Sequence, residues 1–147
     1  MTGSRCETAI CEMERNHAHS QGYPDGAQSR DQVLAHFKSL NYDLTKFHED
    51  TWKGKPVYVI GADKADEKVN QLWIDQEKLV SVRFIKYDGG TKEEGTFEDQ
   101  IPLKKAWSET LCKFYINDHT LQIEKYHDVV AGGPVDKNLF EPSMVGK

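Results

Sequence analysis

From about residue 55 onward, the chain consists of short apolar segments of period two, separated by short polar links. Alternation with this period sends side chains to the two faces of a β-strand in turn. The predicted strands span residues 56–61, 71–75, 79–85, 96–101, 111–116 and 121–126. Because a parallel crossover needs a dozen or more residues, these short links favour antiparallel pairing of consecutive strands. The pattern therefore predicts an antiparallel β-meander.

One short helix is predicted before the strands. Its apolar face consists of Val33, Leu34, Phe37 and Leu40. This spacing of one, four and seven residues is helical. Either Ser29 or Asp31 provides an N-cap, and Asn41 tolerates the left-handed backbone that ends a helix. The predicted fold class is α+β, an antiparallel β-meander that forms a curved half-barrel with a helix packed on it. Because the helix is short, it is expected to cover only part of one face of the sheet.

The domain organisation is simple. A chain of 147 residues is the size of one domain. Residues 1–27 lack alternation and end in turn-forming residues, so they are predicted to be a poorly structured leader. Residues 28–143 are predicted to form a single domain.

Charge and hydropathy exclude two classes of function. The net charge is −5, and the densest basic run is the pair Lys104-Lys105. Nucleic-acid binding needs a clustered basic surface, so it is not expected. No apolar run approaches the roughly 20 residues of a membrane-spanning helix. An integral membrane protein is therefore not expected, while peripheral contact with a membrane stays open.

Several short motifs follow one another along the chain. The first series is YDL at 42–44, DTWKGKPVYVIGA at 50–62 and QLWID at 71–75; the second is YHDV at 126–129 and VDKNLFEP at 135–142. In this content and order, the chain resembles the bacterial outer-membrane lipoprotein-sorting (LolA-like) proteins. Members have a G-x-x-V-Y-V-I strand before a W-I-D hairpin and end in a D-x-x-L-F segment. The resemblance covers roughly residues 22–143, which correspond to only part of a LolA-like domain.

The resemblance implies an incomplete β-barrel closed by helices around an apolar cavity that holds acyl chains. It also implies a periplasmic location, because members of the family are usually exported. The amino-terminal residues, MTGSRCETAICEMERNHAHS, lack the apolar segment of a secretory signal. If the chain is complete as written, the expected location is the cytoplasm instead.

The candidate binding site is a concave apolar sheet face. It is predicted to consist of Leu72, Ile74, Val80, Val82, Phe84, Phe114, Ile116, Leu121 and Ile123. Ligand pockets are mostly apolar with a few polar groups that orient the ligand. Ordinary core packing is the alternative explanation for these side chains.

No constellation of polar residues predicts catalysis or a cofactor. Cys6, Cys11, His17 and His19 are zinc-ligand types, but their spacing matches no common structural site, so no metal site is predicted. No serine or cysteine stands in a nucleophile motif, and the stretch from His48 to Asp50 has the character of a polar loop.

The expected function is therefore the non-enzymatic binding or transport of lipid-like ligands, with a lipid or acyl chain as the partner. The alternative is a structural or interaction module that uses the exposed sheet face or edge for self-association or for binding a partner.

Overall fold

The computed structural model describes residues 7–15, 29–66, 68–103 and 106–129. Two helices and nine strands are found in these ranges. The helices are α1 (residues 7–15) and α2 (Arg30–Ser39). The strands are β1 (Phe47–Trp52), β2 (Lys55–Ile60), β3 (Gln71–Asp75), β4 (Ser81–Asp88), β5 (Thr91–Glu98), β6 (Ile101–Leu103), β7 (Ala106–Ser108), β8 (Leu111–Ile116) and β9 (His119–Lys125).

Seven of the strands form one open antiparallel sheet in the order β1-β2-β3-β4-β5-β8-β9. The remaining two, β6 and β7, pair with each other as a separate hairpin between β5 and β8. Every strand of the large sheet pairs with its nearest neighbour in that sheet along the chain. The predicted α+β class and the antiparallel meander are thereby confirmed. Strand β1 and the β6–β7 hairpin were not predicted, and the strand predicted at 96–101 is wrong in its bounds, because β5 begins at Thr91 and ends at Glu98.

Two-residue turns explain why the strands follow one another so closely. Lys53-Gly54, Gly89-Gly90 and Asn117-Asp118 connect β1 to β2, β4 to β5 and β8 to β9, and all six residues have positive φ. Paired positive φ values are those of a type I′ turn, whose twist matches that of the strands it joins. Glycine and asparagine are the residues that adopt this backbone at least cost.

Helix α2 begins where the sequence predicts. The Ser29 hydroxyl accepts a hydrogen bond from the Gln32 amide, and the Gln32 side chain accepts one from the Ser29 amide, which completes a capping box. The helix ends at Ser39, and Asn41 has a φ of 65°. Val33 and Phe37 are the buried side chains of this helix.

Helix α1 corrects the expectation of a poorly structured leader for residues 7–15. Ala9, Ile10 and Met13 lie on one side of this helix and are buried in the same core as Val33 and Phe37 of α2. The sequence pattern is weak here because only a few apolar residues stand among charged ones. Residues 1–6 and 16–28 lie outside the described residues. No helix within the described ranges is long and apolar enough to cross a membrane.

The two faces of the sheet carry separate cores. On one face, here called the helix face, α1 and α2 pack against Ile60, Leu72 and Ile74. On the opposite face, a second cluster contains the buried residues Val57, Val59, Ala62, Val80 and Val82. Trp52, Trp73 and Trp107 pack on this second cluster.

A β-bulge in β4 decides which residues reach which face. Trp73 pairs with Arg83, whereas the next residue of β3, Ile74, pairs with Ser81. Val82 is therefore an extra residue without a cross-strand partner. The consequence is that Ser81 and Phe84 both lie on the helix face, although an uninterrupted strand would send them to opposite faces.

Candidate ligand-binding cleft

A cleft of about 310 Å³ begins between the helices and the helix face of the sheet and extends to Val80 and Trp107, which also pack in the second cluster. Its apolar lining consists of Met13, Phe37, Leu72, Val80, Phe84, Phe97 and Trp107. Its polar lining consists of Glu14, Tyr42, Ser81, Lys86 and Glu109. The walls are thus mainly aromatic and aliphatic, with a small number of polar side chains among them.

A row of three aromatic rings crosses the sheet on the helix face. The ring centroids of Phe84 and Phe97 are 6.0 Å apart, and those of Phe97 and Phe114 are 6.4 Å apart. Gly95 pairs with Phe84 on one side and with Phe114 on the other. Because Gly95 has no side chain, the Phe84 ring lies over its backbone, and the rings of Phe84 and Phe97 form one side of the cleft.

The polar lining residues form no hydrogen bonds with one another among the described residues. Burial raises the pKa of the Tyr42 phenol to about 12, so this hydroxyl stays protonated at neutral pH. Lys86 is half-buried on β4, two residues beyond Phe84. The cleft therefore offers separate donors and acceptors, not a hydrogen-bonded catalytic pair.

Three of the nine residues predicted for the apolar face lie on the helix face, and a fourth, Val80, lines the cleft although it packs in the core of the opposite face. Leu72 and Phe84 line the cleft as well. Ile74 belongs to the helix face and is completely buried in the core that α1 and α2 cover.

The other five lie elsewhere. Val82 packs in the core of the opposite face, because the bulge in β4 turns it away from Phe84. Phe114 contacts Phe97 but is not part of the cleft lining, and Ile116 is half-buried at the end of β8. Leu121 and Ile123 are 66% and 54% exposed on β9, which is the edge strand of the sheet.

Several lining residues were not among the predicted ones. Met13 and Glu14 come from α1, which the sequence pattern does not reveal. Phe37 was predicted to lie on the apolar face of a helix, but the sequence gives no further indication that it lines the cleft. Phe97 and Trp107 lie in polar surroundings in the sequence, and only the paired strands bring them to the cleft.

The cysteine and histidine residues near the amino terminus, which are possible metal ligands by type, are not brought together at a metal site in the described part of the chain. Cys11 lies on α1, half-buried, and burial is the main reason why its thiol pKa is raised. Cys6, His17 and His19 lie outside the described residues. Within the described part of the chain, no three His, Cys, Asp or Glu residues are arranged to hold a metal ion.

The stretch from His48 to Asp50 belongs to strand β1 and not to a loop. Two residues apart on one strand, His48 and Asp50 share a face, with 3.6 Å between Nε2 and Oδ2. His48 Nδ1 is 2.7 Å from the Ala62 carbonyl oxygen. The pair lies on the face away from the helices and does not line the cleft.

The opposite face holds a charged and aromatic cluster. The Arg83 guanidinium lies 4.5 Å from the ring centre of Trp52 and 4.7 Å from that of Trp73. Arg83 Nε also donates to Glu94 Oε1 at 2.8 Å. This cluster satisfies its own charges and stabilises the sheet, so the cleft on the helix face is the better candidate for a ligand.

Comparison with known proteins gives no relative from which a role can be transferred. No protein-family model, no curated protein and no solved structure matches the chain.

Proposed function

We propose that this protein is a non-enzymatic binder or carrier of lipid-like, apolar ligands, which it holds in the cleft between its helices and its sheet. The supporting observation is the cleft itself. Its volume of about 310 Å³ lies within the range of roughly 300–1,000 Å³ typical of small-molecule sites. Its lining of phenylalanine, leucine, methionine and tryptophan side chains suits an alkyl chain.

The energetics favour such a ligand over a polar one. Each methylene group that leaves water for an apolar surface contributes about 0.8 kcal/mol. Half-buried rings such as Phe84 and Phe97 retain contact with solvent in the empty cleft. A chain of methylenes would cover these rings, whereas a small polar metabolite would lose hydration there without comparable gain.

The motifs that resemble the LolA-like proteins point the same way. An open antiparallel sheet with helices on one face is compatible with the half-barrel of that family. We therefore extend the proposal to a role similar to lipoprotein sorting, in the periplasm, with an acyl chain as the bound group. This extension depends on the sequence motifs at 42–75 and 126–142.

Tryptophan fluorescence tests the proposal, because Trp107 lines the cleft while Trp52 and Trp73 pack together on the opposite face. Titration with 10-bromo-1-decanol, a neutral chain with a quenching bromine, should quench the wild-type fluorescence saturably. The Trp107→Phe variant should bind the probe, measured by calorimetry, but lose most of the quenching. Decanol without bromine provides the matched control. Absence of saturable binding to wild type, or equal quenching in Trp107→Phe, would refute the proposal.

A different observation supports a second candidate function, that of an interaction module. Leu121, Ile123 and Tyr126 are the exposed large apolar residues of the described chain, and all three lie on or next to edge strand β9. Exposed apolar edge strands pair with other strands. Light scattering of wild type and of the Leu121→Lys/Ile123→Lys variant tests this function. A larger species that the double substitution reduces to the monomer would support it, and a monomeric wild type would contradict it.

A further inference from the structure

One cationic side chain in the cleft has no acidic partner in the part of the chain that the structure describes. Lys86 lines the cleft and is half-buried. No carboxylate of the described residues forms an ion pair or a hydrogen bond with its ammonium group. By contrast, the half-buried Lys92 and Lys113 each pair with a carboxylate. A half-buried ammonium group without an anion loses hydration and gains no compensating interaction, so it favours an external anion.

A hydroxyl donor accompanies Lys86 at the same end of the cleft. The Tyr42 ring lies against Gly61, where a Cβ would be 3.5 Å from Tyr42 Cδ1. Gly61 follows Ile60, which pairs with Leu72, and the neighbouring Gln71 pairs with Ile85. Gly61, and with it the Tyr42 ring, therefore lies at about the level of Lys86 along the sheet, and the backbones of Gly61 and Lys86 are about two strand spacings, or roughly 10 Å, apart.

The Tyr42 hydroxyl likewise makes no hydrogen bond with any other described residue. Every buried polar side-chain atom of the described residues has a partner, so this hydroxyl oxygen is one that solvent reaches. Since its high pKa keeps it protonated, it is a donor available to an anion inside the cleft.

The other end of the cleft differs in its charges. Ser81 lines the cleft at the start of β4, five residues before Lys86, a distance of roughly 17 Å along the strand. Trp107 and Glu109 line this end, and the Lys78 ammonium lies over the Trp107 ring, 4.6 Å from its centre. A negative group at the Trp107 end would meet the Glu109 carboxylate as well as Lys78, which already contacts an aromatic ring. The same group at the other end would meet Lys86 and Tyr42.

From this arrangement we infer that the ligand is a single-chain amphiphile with an anionic head, carboxylate or phosphate, whose head lies at Lys86 and Tyr42 and whose chain runs along β4 towards Trp107. The inference depends on the proposed binding function and specifies the ligand class for that same cleft. The aromatic row of Phe84 and Phe97 would contact the chain between its two ends.

Calorimetry with four ten-carbon probes at pH 8 tests the inference. The probes are decanoate, decyl phosphate, decanol and decyltrimethylammonium, which share a chain and differ in the head. Decanoate or decyl phosphate should bind wild type roughly ten- to hundred-fold more tightly than decanol, as a charge-assisted hydrogen bond implies. The tighter of the two anions identifies the head.

Two lysine variants then locate the effect. Lys86→Met keeps the approximate length of the side chain and removes its charge, so it should abolish the advantage of the anions over decanol. Lys38→Met, on the exposed surface of α2, should leave all four affinities unchanged. Tyr42→Phe should reduce anion binding to a smaller extent.

The outcomes separate this inference from the proposed function. If decanol binds as tightly as decanoate and decyl phosphate, the cleft binds chains but the anionic head is wrong. Tightest binding of decyltrimethylammonium would assign the head to Glu14 and Glu109 and overturn the inference. An equal loss for decanol in Lys86→Met would show that this lysine is only structural. If none of the four probes binds, the proposed function fails with the inference.

Discussion

The Phe84 ring occupies the space above Gly95, its partner across the β4–β5 ladder. A Cβ built on Gly95 would lie 2.2 Å from Phe84 Cε1, closer than any two carbon atoms approach without a bond. The glycine therefore makes room for the ring, and the ring position sets the shape of the cleft wall.

We expect Gly95→Ala to displace the Phe84 ring into the cleft. The overpacking should cost about 1–3 kcal/mol of the free energy of unfolding. The new ring position should also weaken binding of decanol. Urea denaturation and calorimetry measure the two effects separately.

A compensating substitution controls this experiment. Phe84→Leu removes the ring that the new Cβ would meet, so the double variant Phe84→Leu/Gly95→Ala should lose less stability than the sum of the single variants. Strict additivity would show that Gly95 has some role other than accommodating Phe84.

Gly61→Ala should be more damaging than Gly95→Ala. Gly61 has a φ of 96°, and a Cβ there would lie 2.4 Å from the carbonyl oxygen of Asn70. A backbone oxygen yields less readily than a side-chain ring, and the left-handed φ adds strain. We expect a loss of about 3 kcal/mol in urea denaturation. A loss smaller than that of Gly95→Ala would contradict this reasoning.

Arg83→Lys should destabilise the protein by about 1–2 kcal/mol. A lysine ammonium cannot lie over the rings of both Trp52 and Trp73 and also bind Glu94 as the planar guanidinium does. Arg30→Lys is the matched control, because Arg30 pairs with Glu7 at the surface and its replacement should leave stability unchanged. Thermal unfolding followed by tryptophan fluorescence compares the two variants.

Ile10→Ala should cost about 2–5 kcal/mol, because Ile10 is fully buried where α1 meets the rest of the core. Ile123→Ala makes the same chemical change at an exposed position and should change stability by less than about 0.5 kcal/mol. Equal effects of the two substitutions in urea denaturation would mean that α1 does not belong to the folded domain.

Acid should destabilise the protein through Glu98. Burial alone would raise the pKa of this carboxyl, but the hydrogen bonds from Lys53 and Lys113 outweigh burial and hold the pKa below its usual value of 4.5. Because the pKa is lower in the folded state, the stabilisation is present above pH 4.5 and is lost as the pH falls through the lowered pKa.

The Glu98→Gln variant tests this dependence. Its free energy of unfolding should be lower than that of wild type at neutral pH, and the difference should shrink on acidification. Glu77→Gln, at an exposed position, should reproduce the wild-type pH profile. A difference that stays constant between pH 7 and pH 3 would contradict the assignment.

Local signals in the sequence predicted much of the fold. Ser29, one of the two predicted N-caps, begins α2, because a cap depends on a few adjacent residues, and the short links correctly indicated antiparallel pairing of consecutive strands. Helix α1 was missed because its stability comes from contacts of Ile10 with distant residues, not from its own pattern.

The candidate site was predicted only in part, for a related reason. Strict alternation placed Val80, Val82 and Phe84 on one face, but the extra residue in β4 breaks that alternation. A bulge depends on how two strands pair, and the pairing cannot be predicted from the residues of one strand alone. The exposure of Leu121 and Ile123 likewise follows from the position of β9 at the edge, which the residues of β9 do not reveal.

The bulge at Val82 also determines which deletions strand β4 tolerates. Removing Val82 would restore a regular ladder and leave Ser81, Phe84 and Lys86 on the faces that they now occupy, at the expense of the packing of one valine. Removing Arg83 instead would also delete the cation that lies over the rings of Trp52 and Trp73. Removing a residue between Phe84 and Lys86 would turn the lysine out of the cleft. Among single-residue deletions in this part of the chain, loss of Val82 should therefore be the one that natural variants of this protein accept most readily.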